Sequence, residues 1–151
     1  MSVCKSRELW LSTLICVCLF VSVPLLRGGF GMSWDTQNHH IYLGWVAAQA
    51  RFEQDYFAAS TQSYQFPYLY WPVYQMTKWR LLGWQAGVIW ALMHSLVAIP
   101  LWVMAKALIP SPGKEAAVYR LAAVLLGVFN ILVLRAPETP VNDVLAAMPY
   151  V

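Results

Sequence analysis

The chain has 151 residues, 60% of them hydrophobic and only 11% charged. A water-soluble domain is about half apolar and about a quarter charged, so the composition excludes an ordinary soluble domain and predicts an integral membrane protein. The net charge of +3 sits at the flanks of apolar runs and calls for no nucleic-acid partner.

The first apolar run covers residues 10–26, at the short end of what spans a bilayer. A basic start before an apolar core also fits a cleaved signal peptide. The sequence after it, Pro24-Leu-Leu-Arg-Gly-Gly, is a poor cleavage site, so an uncleaved anchor is expected. Cys4, Cys16 and Cys18 all fall in or before this run. Their spacing suits neither a disulfide framework nor a zinc site, and they read as apolar filler.

Residues 27–80 form the long connection to the second run, and here the chain places its unusual side chains. The aromatic density between Phe30 and Trp84 suits a segment lying in the headgroup zone. Ser33 is positioned to cap a helix reaching to about Phe52, with Asp35 in its first turn. Ile41, Trp45, Ala48 and Phe52 recur at helical spacing and predict an amphipathic helix on the membrane surface. On that helix Asp35, Asn38, His39 and Tyr42 would share one face. Asp55 follows, then a polar patch over 60–65. Pro67 and Pro72 predict loop or short turns across residues 60–73.

The second run, 81–109, is longer than one span needs and must tilt, kink or lie partly in the interface; its span is placed at about 84–106. His94 lies inside it, where the plain expectation is a neutral imidazole bonded to a neighbouring helix. A third span is predicted at about 116–134, with Arg120 near its start and free to reach towards headgroups. Beyond it, Asn142 or Asp143 can cap a further apolar helix over 143–151. That stretch is too short to cross about 30 Å at about 1.5 Å per residue, and the expectation is the start of a fourth span.

Charge placement sets the expected orientation. Lys5 and Arg7 precede the first span, and Lys106, Lys114 and Arg120 flank the 105–120 connection. Arg27, Arg51, Lys78 and Arg80 are spread over a much longer segment. The positive-inside rule then puts the N-terminus and the 105–120 connection in the cytoplasm and residues 27–80 outside. The fold expected is a single all-α integral membrane domain over 1–151: three transmembrane helices, a juxtamembrane helix in the first outer loop, and the beginning of a fourth span. The expected location is a bacterial inner membrane.

Asp35 is the first candidate for chemistry. A carboxylate at a membrane surface can act as a general base towards a hydroxyl or hold a divalent cation, and both uses stay open. The plain alternative is that it only serves the helix start. Adjacent helical positions point about 100° apart, so His39 and His40 do not converge with Asp35 on a metal, and no metal site is expected from this chain alone. Glu138 and Asp143 lie on the same expected side as Asp35. There is no glycine-rich phosphate loop, no nucleophile elbow and no haem or iron–sulfur cysteine pattern.

A basic N-terminus, one span, then Asp35-x-x-Asn38-x-His40-x-Tyr42 opening a juxtamembrane helix resembles the start of polytopic membrane glycosyltransferases of the GT-C class. The order continues through Asp55-Tyr-Phe into the aromatic and proline-rich stretch ending Tyr70-Trp-Pro72, so the likeness covers roughly residues 10–80. It implies a polyprenyl-phosphate sugar as donor and an acceptor reached from the outer face. It implies that Asp35 is the catalytic base and that Asn38, His40, Tyr42 and Asp55 order the loop or contact substrate. His39 stands where an aromatic is expected, and it joins the substrate-binding set as a departure from the pattern. Such enzymes have eight or more spans, so the resemblance implies an N-terminal portion not active by itself. The rival expectation is a small three-span accessory protein whose aromatic loop docks a membrane-protein partner or lipid; a third is a remnant without function.

Overall fold

The computed structural model describes residues 3–49, 51, 54–55, 67–130, 133, 135 and 143–150. All regular structure among them is helical. Helix α1 (Val3–Arg27) ends in a Schellman turn: Gly28 takes φ +77°, and the Gly29 N–H donates to the Pro24 carbonyl at 2.8 Å. The Phe30 N–H then donates to the Gly83 carbonyl at 3.0 Å, which pins the exit of α1 to the start of the second apolar run. A π-helical turn, Thr36–His40, runs directly into the short helix α2 (Ile41–Val46). A 3₁₀ turn, Tyr68–Tyr70, leads into α3 (Trp71–Lys78).

The expectation of loop or short turns across 60–73 agrees with the Tyr68–Tyr70 turn and is corrected at 71–73, which open helix α3. Pro72 sits in the first turn of the helix, where its missing N–H would have had no partner anyway, so it starts the helix. Residues 60–66 lie outside the described residues. A second Schellman turn closes α3, with Leu81 N–H bonded to Met76 O and Arg80 N–H to Thr77 O. Arg80, at φ 54°, occupies the left-handed position usually given to glycine.

The second apolar run is two helices, α4 (Gly83–Ser95) and α5 (Ala98–Leu108), joined by a turn at residues 96–97. Pro100 has no N–H for the Leu96 carbonyl, and Ser95 Oγ donates back to Leu92 O at 2.7 Å, so the helix changes course there. The long run, expected to tilt, kink or lie partly in the interface, is thus interrupted at residues 96–97. Helix α6 (Lys114–Val128) follows, and α7 (Asp143–Ala147) comes late in the chain.

Two stretches, Arg7–Arg27 and Gly83–Leu108, are long and apolar enough to cross a membrane. The third expected span is helical over Lys114–Val128, and part of its remaining length lies outside the described residues.

Small residues set the packing. A Cβ on Gly87 would stand 2.5 Å from Pro24 Cβ, so α4 and α1 touch almost backbone to backbone. One apolar cluster gathers Cys16, Phe20, Ala91, Ala98, Ala105, Val124 and Val128 from α1, α4, α5 and α6. Cys16 is packed there and Cys18 faces outward, both as free thiols. A second cluster joins Val73 and Met76 of α3 to Ala86 and Trp90 of α4, with Phe30 and Leu145 packed against it. This second cluster seats the α2–α3 unit on the end of α4.

Arg120 corrects another expectation. It is buried and paired, with both oxygens of Glu8 accepting from its guanidinium at 2.7 and 2.9 Å. Its remaining terminal nitrogen donates to the carbonyls of Ile109 and Ser111 at 3.0 Å each. One side chain thus ties α6, α1 and the 109–113 turn together.

Candidate functional site

Ser33 caps the site helix as its sequence position predicts: its Oγ accepts from the Thr36 N–H at 3.1 Å and lies 2.8 Å from Thr36 Oγ1. That relieves Asp35 of capping. Asp35 makes no capping hydrogen bond, and its side chain is 55% exposed. A carboxylate in the first turn still gains from the helix dipole.

The π turn was not legible in the residues. The Ile41 N–H reaches back to Thr36 O, five residues away, and the extra residue changes which side chains share a face. Asp35 and Asn38 remain outside, while Thr36, His39 and His40 turn inward. The expected common face of Asp35, Asn38, His39 and Tyr42 is therefore divided. The apolar face of α2 is Leu43, Gly44 and Val46 instead of Ile41, Trp45 and Ala48; Phe52 lies outside the described residues.

His39 and His40 are both about 95% buried, and their rings meet edge to face at 4.4 Å between centroids. His40 stacks on Tyr70, centroids 4.5 Å apart and planes 21° off parallel, so the turn leans on the 3₁₀ turn that precedes α3. The Nδ1 atoms of both histidines are buried without a hydrogen-bond partner. The Nδ1 of His39 lies 3.9 Å from an Asp35 carboxylate oxygen, too far for a hydrogen bond and close enough for one small side-chain rotation to make it. Burial pushes the His40 imidazole down to about 4, with the neighbouring His39 adding to the fall and Asp35 opposing it. His40 is neutral at physiological pH.

Asn38 donates from its side chain to the Trp34 carbonyl at 2.6 Å, and Gln37 to Met32 O at 3.2 Å. Tyr42 packs on Trp45, over which the Arg51 guanidinium lies at 5.5 Å. Asp55 accepts two hydrogen bonds from Arg51, at 2.7 and 3.0 Å, and a further one from Tyr42. These bonds hold the Asp55 carboxyl below the usual carboxylate range, Arg51 first and Tyr42 last among the causes, and they hold Arg51 above its own. Sequence reading gave Asp55 a contact with substrate. The structure places it in a local clasp with Arg51 and Tyr42. Among the described residues no cluster of three or more histidine, cysteine or acidic side chains is arranged to hold a metal ion.

Beneath the turn is an open cavity of about 250 Å³, walled by Phe30, Met32, Ile41, Val73, Met76 and Leu81. Met32 and Ile41, which flank the Asp35–His40 turn in sequence, line the cavity; the residues of the turn itself do not. Nothing in the residue pattern announced this cavity, because its walls come from four separate segments. His94 is buried, with its Nδ1 2.9 Å from the Trp90 carbonyl of its own helix. Of the two further acids, Asp143 opens α7 and Glu138 lies outside the described residues.

No protein-family model, no curated protein and no solved structure matches this chain.

Proposed function

We propose that this chain carries the acceptor-activating edge of a membrane glycosyltransferase that moves a sugar from a lipid-phosphate donor at the non-cytoplasmic surface. The observation that carries the reading is Asp35: an exposed carboxylate, excused from capping by Ser33, at the start of a π turn whose flanking residues Met32 and Ile41 line an apolar cavity. Single π turns inside helices recur at functional sites. In this reading Arg7–Arg27 and Gly83–Leu108 cross the bilayer. Trp34, Tyr68, Trp79 and Trp84, all exposed, sit at the headgroup level. The cavity takes hydrocarbon of the lipid donor, and Asp35 removes the proton from the acceptor hydroxyl as it attacks the sugar. Asn38 faces the same solvent and offers the acceptor a hydrogen-bonding amide. The chain supplies one part of such a site, and catalysis requires further spans.

The test is sugar transfer in membranes given radiolabelled polyprenyl-phosphate sugars, with the protein in its natural setting. Asp35→Asn is expected to lower transfer by about a hundredfold or more, the usual contribution of a positioned general base, and to leave membrane insertion unchanged. Transfer at the wild-type rate in that variant would overturn the reading.

A second reading is favoured by the exposure of Tyr68 and Trp71 at the start of α3. It makes the protein a non-catalytic membrane accessory that docks a partner through this aromatic segment. Aromatic substitutions there would then weaken partner capture, and Asp35→Ala would not.

A further inference from the structure

The turn contains a feature that the resemblance did not require: a histidine behind the carboxylate. His39 is 4% exposed, its Nδ1 has no hydrogen-bond partner, and the nearest charged atom is an Asp35 oxygen at 3.9 Å. A buried polar nitrogen left without a partner is costly, so the ring is poised to take one. Asp35 is exposed, whereas His39 is packed. The His40 ring stands edge-on against it, and His40 is itself fixed by its stack on Tyr70 from the neighbouring segment. The rigid partner therefore sets the geometry and the exposed one moves to meet it.

We propose that His39 is a positioning residue for Asp35, donating a hydrogen bond from Nδ1–H that fixes one carboxylate oxygen and leaves the other for a substrate hydroxyl. The role within catalysis rests on the glycosyltransferase reading; the pairing itself does not. In the transfer step the acceptor O–H proton passes to the free Asp35 oxygen and the acceptor oxygen bonds to the sugar carbon. The bond from that carbon to the lipid phosphate breaks, and its electron pair leaves with the phosphate. His39 keeps its proton throughout. The groups facing it are Asp35 and His40 on its own turn and, through His40, Tyr70 on the adjoining segment.

The pairing is tested without substrate. The protein has three histidines, so ¹⁵N-histidine labelling of the full chain in lipid nanodiscs gives few signals, and the loss of one set in His39→Phe assigns them. Asp35→Asn, a change at an exposed position, is expected to move the His39 Nδ1 signal; the control Gln37→Ala is expected to leave it in place. An unmoved His39 signal in Asp35→Asn overturns the pairing. The catalytic role is tested by transfer kinetics. His39→Phe, which keeps the ring and removes Nδ1, is expected to lower kcat about a hundredfold with KM little changed. His39→Asn, whose amide nitrogen lies near the Nδ1 position, is expected to recover most of the loss. Equal activity of the two variants overturns positioning through Nδ1. A coupled His39 signal together with full transfer by Asp35→Asn upholds the pair and rejects the glycosyltransferase reading instead, which separates the two failures.

Discussion

At the scale of single residues, burial decides what the candidate side chains can do. Asp35 and His39 are neighbours on one turn, yet one meets solvent and the other does not. His40 is the clearest case, since its imidazole is held down to about 4 mainly by burial. An unfolded histidine titrates near 6.5, so between about pH 6.5 and 4 the unfolded chain binds the proton that the folded chain refuses. The stability contributed by neutral His40 is therefore complete above about pH 6.5 and is lost as pH falls towards 4. Thermal unfolding followed by circular dichroism should show a midpoint that is flat above pH 7 and falls through that window. His40→Phe, which preserves the stack on Tyr70, should flatten that part of the curve. An unchanged slope in the variant would assign the pH response to other groups.

At the scale of elements, α2 and α3 meet at Gly44. A Cβ there would collide with the Tyr70 carbonyl oxygen and would stand 2.7 Å from Tyr74 Cβ. Two backbones cannot yield as a flexible side-chain tip can. Gly44→Ala should therefore destabilise the protein by about 1–3 kcal/mol, as overpacking does, and lower the midpoint of thermal unfolding. It should also disturb the His40–Tyr70 stack, which near-ultraviolet circular dichroism would register.

How far such elements could be read in advance depended on how local their cause was. The Ser33 cap follows from residues adjacent in sequence and was legible; the length of the second apolar run allowed a kink without placing it. Pro72 was ambiguous, since a proline that breaks one helix is also well placed to begin the next. The π turn was hidden, because nothing in Thr36-Gln-Asn-His-His distinguishes a five-residue hydrogen bond from a four-residue one. So the identities of the candidate residues were visible and their inward or outward facing was not. Arg120 was misjudged for a different reason: its partner, Glu8, lies 112 positions away, beyond the reach of any local pattern.

At the scale of the whole molecule, that pair ties α6 back to α1 across 112 positions of sequence. Arg120 is 1% exposed and its partner 19%, so the two are not equivalent. Removing Glu8 strands a buried cation, and removing Arg120 leaves an anion that still reaches solvent. Glu8→Leu should cost about 3–5 kcal/mol, the usual penalty for breaking a buried pair, and Arg120→Met less. The double variant should recover a large part of the loss. Denaturation of the four proteins in one detergent gives the cycle directly, and strict additivity would deny the coupling.

The hydrogen bond from Phe30 to Gly83 bears on the architecture in another way. Residues 31–82 depart and return through a gate marked by that backbone contact, where Gly29 and Gly83 lie side by side. The long helices are thus completed on one side of the gate and the candidate residues are displayed on the other. The frame and the displayed segment are still coupled at one face, because Val73 and Met76 of α3 pack on Ala86 and Trp90 of α4.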